Sequence, residues 1–153
     1  PDHGFKARQH NPKTEYDLHH QSWVAPFVMA AINTRVVHRS NALSKGAYGL
    51  PFLYEEGVLT GDKSKGKRRA RIMGLGLGGF MLLAALPPSR WLLERFILPK
   101  PGEGPTPEQQ LKGGFAMHFN GITPSGKQLC VEVTGDRDPG YGSTAKMLGE
   151  FTA

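Results

Sequence analysis

Lys63-Ser64-Lys65-Gly66-Lys67-Arg68-Arg69-Ala70-Arg71 runs directly into Ile72-Met73-Gly74-Leu75-Gly76-Leu77-Gly78-Gly79-Phe80-Met81-Leu82-Leu83-Ala84-Ala85-Leu86. Three functions can be read from this stretch. Gly74, Gly76 and Gly79 match the spacing G-x-G-x-x-G of a dinucleotide fingerprint. The basic block alone suggests a nucleic acid, and the two blocks together suggest a membrane surface. The fingerprint needs a buried strand ahead of Gly74, so that a pyrophosphate sits on the start of the next helix. Arg68-Arg69-Ala70-Arg71-Ile72-Met73 is no buried strand. Glu94 has the spacing of a ribose-binding acid, but it falls in an amphipathic segment after Pro87-Pro88 rather than at the end of a second strand. Nucleic-acid surfaces usually spread their cations and interleave aromatic or polar groups that read bases. This block has no aromatic residue and is joined to an apolar run, so no nucleic-acid partner is expected.

The apolar run of fifteen residues, Ile72–Leu86, is too short for a confident membrane span of about 20 residues. Pro87-Pro88 stops it. Ser89 then suits the cap of a short amphipathic helix, with Trp91, Leu92, Phe96 and Ile97 on one side and Arg90, Glu94 and Arg95 on the other. Residues 63–98 therefore read as a hydrophobic helical insert. Its membrane contacts would be Lys67, Arg68, Arg69, Phe80, Trp91 and Phe96, facing an anionic surface. Burial within the protein, or at a contact between subunits, is the alternative.

The rest of the chain is close to electrically neutral. The net charge is +6, and residues 63–71 hold six of the 19 lysines and arginines. The 153 residues suffice for one domain. Twenty glycines and 12 prolines predict many turns without low complexity. Cys130 is the single cysteine, which excludes an internal disulfide and fits a reducing compartment, hence the cytoplasm, peripheral to a membrane. The chain opens on Pro1 without a signal-peptide pattern and reads as a piece of something longer.

Residues 1–22 are polar and read as linker or loop. His19-His20 with Asp17 do not converge on a metal without further ligands, and no metal site is expected. Pro26 suits the first turn of a helix over 26–43. On that helix Val28, Ile32, Val36 and Leu43 form an apolar stripe, and Arg35 and Arg39 share a face at i,i+4. Asn33, Arg35 and Arg39 are candidate substrate contacts, with a solvated polar face as the plainer alternative. Residues 50–60 read as a strand, and 99–107 as an extended linker. Thr106-Pro107-Glu108-Gln109 has the pattern of a capping box.

Phe115, Met117 and Phe119 alternate with Ala116, His118 and Asn120. Thr123–Lys127 supplies a turn, and Leu129, Val131 and Val133 then alternate with Cys130, Glu132 and Thr134. This is a hairpin with Cys130 on the face away from the aliphatic row. His118 has no obvious carboxylate partner in the sequence. After Gly135, a glycine-rich turn leads to a helix capped near Ser143 or Thr144, whose first amides could receive an anion. The fold class is thus α+β: a mixed or antiparallel sheet with a C-terminal hairpin flanked by helices, over residues 23–153.

Ala25-Pro26-Phe27-Val28-Met29-Ala30, Asn33-Thr34-Arg35-Val36-Val37, Arg39-Ser40-Asn41-Ala42-Leu43 and Tyr48-Gly49 resemble the C-terminal half of saccharopine dehydrogenase-like oxidoreductases. Gly104-Pro105-Thr106 and Asp138-Pro139-Gly140-Tyr141 with Thr144-Ala145 follow in the order of the trans-acting enoyl reductase branch. The resemblance covers residues 23–150. It implies a two-part enzyme in which an N-terminal Rossmann domain, absent from this sequence, binds NAD(P). The second part would carry the pocket for a lipid or acyl substrate and the contact of a homodimer. This chain alone would then hold no cofactor and transfer no hydride. Tyr141 is the candidate catalytic proton donor, because a phenol can serve as an acid for hydride chemistry on a conjugated carbonyl. The competing function is a non-catalytic module held on a membrane or lipid surface by residues 63–98.

Overall fold

Ser22-Trp23-Val24-Ala25 combines an aromatic and a β-branched residue between turn-forming neighbours, and it forms the central strand of a small sheet. The structure, a computed structural model, describes residues 13–49, 51–100 and 102–152. It divides into two units, Pro1–Leu93 and Glu94–Ala153.

In the first unit, β1 (Glu15–Asp17) and β2 (Ser22–Pro26) pair antiparallel, with Tyr16 opposite Trp23. The turn between them is tied by Asp17, whose Oδ1 accepts the amides of His19 (2.8 Å) and His20 (3.4 Å). The segment read as loop therefore contains a short strand from residue 15. α1 (Ala30–Leu43) follows. Pro26 does not open it. Pro26 ends β2 opposite Gly57, because a residue with a fixed φ and no N–H fits a strand end as well as a first helical turn. Phe27-Val28-Met29 becomes an exposed apolar link between the two.

β3 (Gly57–Gly61) pairs antiparallel with β2, giving the sheet order β1-β2-β3. The strand expected over 50–60 is thus confined to its last residues. Residues 52–56 are fastened to α1 by side chains instead. Asn33 Nδ2 and the Tyr54 hydroxyl donate to the two carboxylate oxygens of Glu56, each at 2.9 Å.

Gly61, at φ +99°, turns the chain sharply into α2 (Lys63–Ala85). The helix crosses the sheet on small residues. A Cβ on Gly66 would lie 2.0 Å from the Gly61 carbonyl oxygen, so only glycine permits this approach. Ala70, one turn on, is fully buried, as is Ala25 on β2. The Thr60 hydroxyl, also buried, lies 2.9 Å from the Trp23 carbonyl and 3.0 Å from that of Gly66, joining strand to helix. The first half of the expected insert is therefore the helix that covers the sheet, because its glycine and alanine spacing fits a close helix–sheet contact.

α3 (Pro87–Phe96) begins at Pro87, with Ser89 inside it rather than at its cap. Two prolines tolerate a first turn because they have no N–H to satisfy.

In the second unit, Thr106 caps α4 (Pro107–Lys112) in a reciprocal capping box with Gln109, as the sequence predicts. β4 (Phe115–Ile122) and β5 (Gln128–Gly135) form the expected hairpin. Phe119 faces Val131 and Met117 faces Val133, with Cys130 opposite Asn120 on the other side. α5 (Gly142–Thr152) closes the chain. The class is α+β, with antiparallel sheets and the hairpin flanked by helices.

Candidate functional site

Two concave surfaces in the first unit flank α2. The larger is an apolar groove of about 820 Å³ between the Pro26–Ala31 link and the middle of the helix. Phe27, Val28, Leu75, Leu77 and Met81 line it, and Lys13 and Arg71 place two cations on it. Gly74 keeps it open: a Cβ there would meet the Thr14 hydroxyl at 3.1 Å and Pro26 at 3.6 Å. The smaller, about 310 Å³, is bounded by Val58, Leu59, Thr60, Arg69, Ile72 and Met73. A groove of the larger size lies in the usual range of small-molecule sites. Its apolar wall and two cations suit an elongated apolar ligand with an anionic group.

The expected substrate contacts are divided. Asn33 is engaged with Glu56. Burial and the Glu56 carboxylate push the Tyr54 phenol up to about 12, so that hydroxyl stays protonated across the physiological range. Both carboxylate oxygens of Glu56 are occupied, and the trio fixes the 52–56 segment to α1 rather than offering an acid or base. Arg35 and Arg39 are exposed on α1, one turn apart, and do not line the groove. Tyr141 belongs to the second unit, exposed in the turn before α5, with its ring against Gly104.

The amides of Gly142 and Ser143 at the start of α5 are already taken, by the Asp138 side chain and carbonyl. Asp138 Oδ2 accepts from Tyr141 N (2.7 Å) and Gly142 N (3.3 Å), and these amides hold its carboxyl below the usual range. Ser143 and Thr144 do not cap the helix. Their hydroxyls donate back to the Arg137 and Pro139 carbonyls, and Asp138 takes the capping role. The register also sets His118 directly opposite Glu132, a carboxylate neighbour that sequence order hides.

Asp17 and His20 lie 2.7 Å apart, Oδ2 to Nδ1. Burial would raise the Asp17 carboxyl, but the His20 side chain and the His19 and His20 amides bring it below its ordinary value. Among the described residues no group of three or more His, Cys, Asp or Glu side chains converges as a metal site.

Gly74, Gly76 and Gly79 lie inside α2, where backbone amides are spent on the helix itself. That arrangement does not fit a nicotinamide dinucleotide, which needs free amides at a helix start. Of the proposed membrane contacts, Lys67 lies against the sheet, its Nζ 4.8 Å above the Trp23 ring. Arg68, Arg69, Phe80, Trp91 and Phe96 are exposed. Among the described residues no single helix is long and apolar enough to cross a membrane. α2 and α3 meet that measure only together, with a bend of 110° between them.

Lys13, Arg71 and the groove were not found from the sequence. No local pattern marks them, since the wall forms only when the Pro26–Ala31 link meets α2. The Tyr54–Glu56 pair did carry a signal, because residues two apart in an extended segment share a face.

The chain is similar to a Mycobacterium tuberculosis protein named provisionally as a trans-acting enoyl reductase, with 36% identity over 134 residues. It is also similar to the trans-acting enoyl reductases of Mycobacterium ulcerans and Mycobacterium bovis, at 35% identity over 134 residues each. In each case the match covers 84% of this chain and 31% of the relative, in the relative's C-terminal part. The chain thus spans under a third of the length of these relatives. No family model matches the chain. No solved structure matches it either.

Proposed function

We propose that the chain is the substrate-side portion of an NAD(P)-dependent enoyl reductase of saccharopine dehydrogenase-like architecture, working as a homodimer on a lipid or acyl substrate. The groove along α2 carries this reading. Its apolar wall offers a place for an alkyl chain, and Lys13 and Arg71 offer charge complementarity to an anionic carrier at the end of that chain. The names of the relatives support the reaction class. NAD(P) supplies the hydride when bound, and a nucleotide-binding domain of the full-length protein would hold it, because the glycines of this chain do not. The residues here bind and orient the acyl chain and exclude water from it.

Calorimetric titration of the chain with a trans-2-hexadecenoyl 4′-phosphopantetheine thioester tests the groove. Saturable binding is expected, and Ala31→Trp, which fills the groove from an exposed position, should weaken it at least tenfold. Absence of binding, or binding indifferent to Ala31→Trp, would overturn the assignment. A parallel NADPH titration should give no heat. Clear binding there would return the phosphate cradle to Gly74–Gly79.

A further inference from the structure

Away from the groove that Leu75, Leu77 and Met81 line, the last three turns of α2 are exposed. Cβ atoms added at Gly76, Gly78 or Gly79 would meet nothing within 4 Å. Apolar side chains point out on every side: Phe80 is 38% exposed, Leu82 64% and Leu83 45%, with Leu86 next and Trp91 at 61% beyond the bend. A helix that is apolar all round is a buried or a lipid-embedded helix, and the described residues leave most of this end exposed.

We propose that this projecting end, from Gly76 through Leu92, is a docking surface that enters one leaflet of an anionic lipid bilayer. The proposal goes beyond the reductase reading and does not depend on it. Charge selects the occupant. No acidic residue occurs between Asp62 and Glu94, while Lys63, Lys65, Lys67, Arg68, Arg69, Arg71 and Arg90 all fall in that interval. Length selects the depth. Gly76 to Leu86 covers roughly 15 Å of helix, about half of a hydrocarbon core of about 30 Å. Arg71 and Arg68 then sit about 7 and 12 Å back along the axis, at the level of the headgroups. The 110° bend returns the chain instead of carrying it across.

The corner satisfies part of its own backbone. The last carbonyls of a helix usually depend on solvent. Here Ser89 Oγ lies 2.6 Å from the Leu83 oxygen and 3.1 Å from that of Leu86, and the Arg90 amide donates to Leu86 at 2.9 Å. Pro87 and Pro88 bring no N–H to satisfy. Hydrocarbon demands such internal pairing of backbone groups.

Flotation with phosphatidylcholine vesicles, and with vesicles containing phosphatidylglycerol, tests the proposal on the whole chain. Emission from Trp91 is read in a Trp23→Phe background. The chain should float with the anionic vesicles only, and Trp91 emission should shift to the blue. The double change Leu82→Glu and Leu83→Glu, at exposed sites, should abolish both signals and leave the circular dichroism unchanged. Arg68→Glu with Arg69→Glu should weaken binding about 25-fold or more, at about fivefold for each cation near the surface. Equal flotation on both vesicle types would overturn the charge argument. Flotation that survives the Leu82 and Leu83 changes would overturn insertion. A dimer without vesicles, with Trp91 already blue-shifted and indifferent to lipid, would assign the surface to a second copy and sink the proposal.

Discussion

The two halves of α2 are built from similar material and do opposite things. Lys63–Ala70 carries Gly66 and Ala70 on one side and lysines and arginines on the others, and it lies tightly on β2 and β3. Gly76–Ala85 carries glycines and large apolar side chains, and apart from Leu77 and Met81 at the groove it is largely exposed. In the first half a glycine is a contact, since any side chain would strike a carbonyl. In the second half a glycine is a gap between apolar side chains. Glycine content alone cannot tell the two apart; the partner surface decides.

The same substitution in each half separates them most sharply. Gly66→Ala should destabilise the first unit by roughly 1–3 kcal/mol. The added methyl would sit 2.0 Å from the Gly61 oxygen, and that clash outweighs the gain in helix propensity. Urea unfolding followed by circular dichroism measures it. A neutral result would mean that the helix–sheet contact is looser than the geometry requires.

Thr60→Val probes the same contact through hydrogen bonding. The methyl keeps the shape of the side chain, but the buried hydroxyl between the Trp23 and Gly66 carbonyls is lost. The expected cost is about 1–2 kcal/mol, read from the same unfolding curves.

Much of this fold is legible in sequence where the signal is local. The capping box at Thr106 and Gln109 and the alternation of the β4–β5 hairpin each need only neighbours along the chain. The failures share one cause. Pro26 satisfies two local environments, and only pairing with Gly57 chooses the strand. Ser143 and Thr144 are good caps by pattern, but the helix already starts at Gly142 and their hydroxyls turn back to the Arg137 and Pro139 carbonyls. The basic block reads as an appendage because its buried side consists of Gly66 and Ala70, which carry almost no hydrophobic signal. The groove is legible only after the fold, as its two walls, Pro26–Ala31 and Arg71–Met81, lie 40 to 55 residues apart in sequence.

Gly76→Ala should have the opposite sign to Gly66→Ala. Nothing lies within 4 Å of the new methyl, so only the helix propensity changes. A gain of about 0.5–1 kcal/mol is expected, seen as higher helicity and a slightly raised Tm. A loss of stability would show that something already covers this end of the helix, and the contrast between the halves would fail.

The smallest effect concerns acid, and it too falls on one side of the comparison. Asp17 ties the β1–β2 turn at the base on which α2 rests, and its carboxyl is held below its ordinary 3.8 in the folded chain. A lowered folded pKa means that the unfolded chain binds the proton more readily. The stabilisation is therefore complete above the unfolded value and is lost as pH falls below about 4 and through the folded value. Asp17→Asn should flatten the acid limb of a stability–pH profile by lowering stability near pH 7, by about the amount the unmodified chain loses on acidification, and change little below the folded value. The uncovered end of α2 has no carboxylate to titrate, so Leu83→Glu apart, its substitutions should leave that limb unchanged. An acid limb that moves with Gly76→Ala but not with Asp17→Asn would reverse the assignment of which half is tied to the sheet.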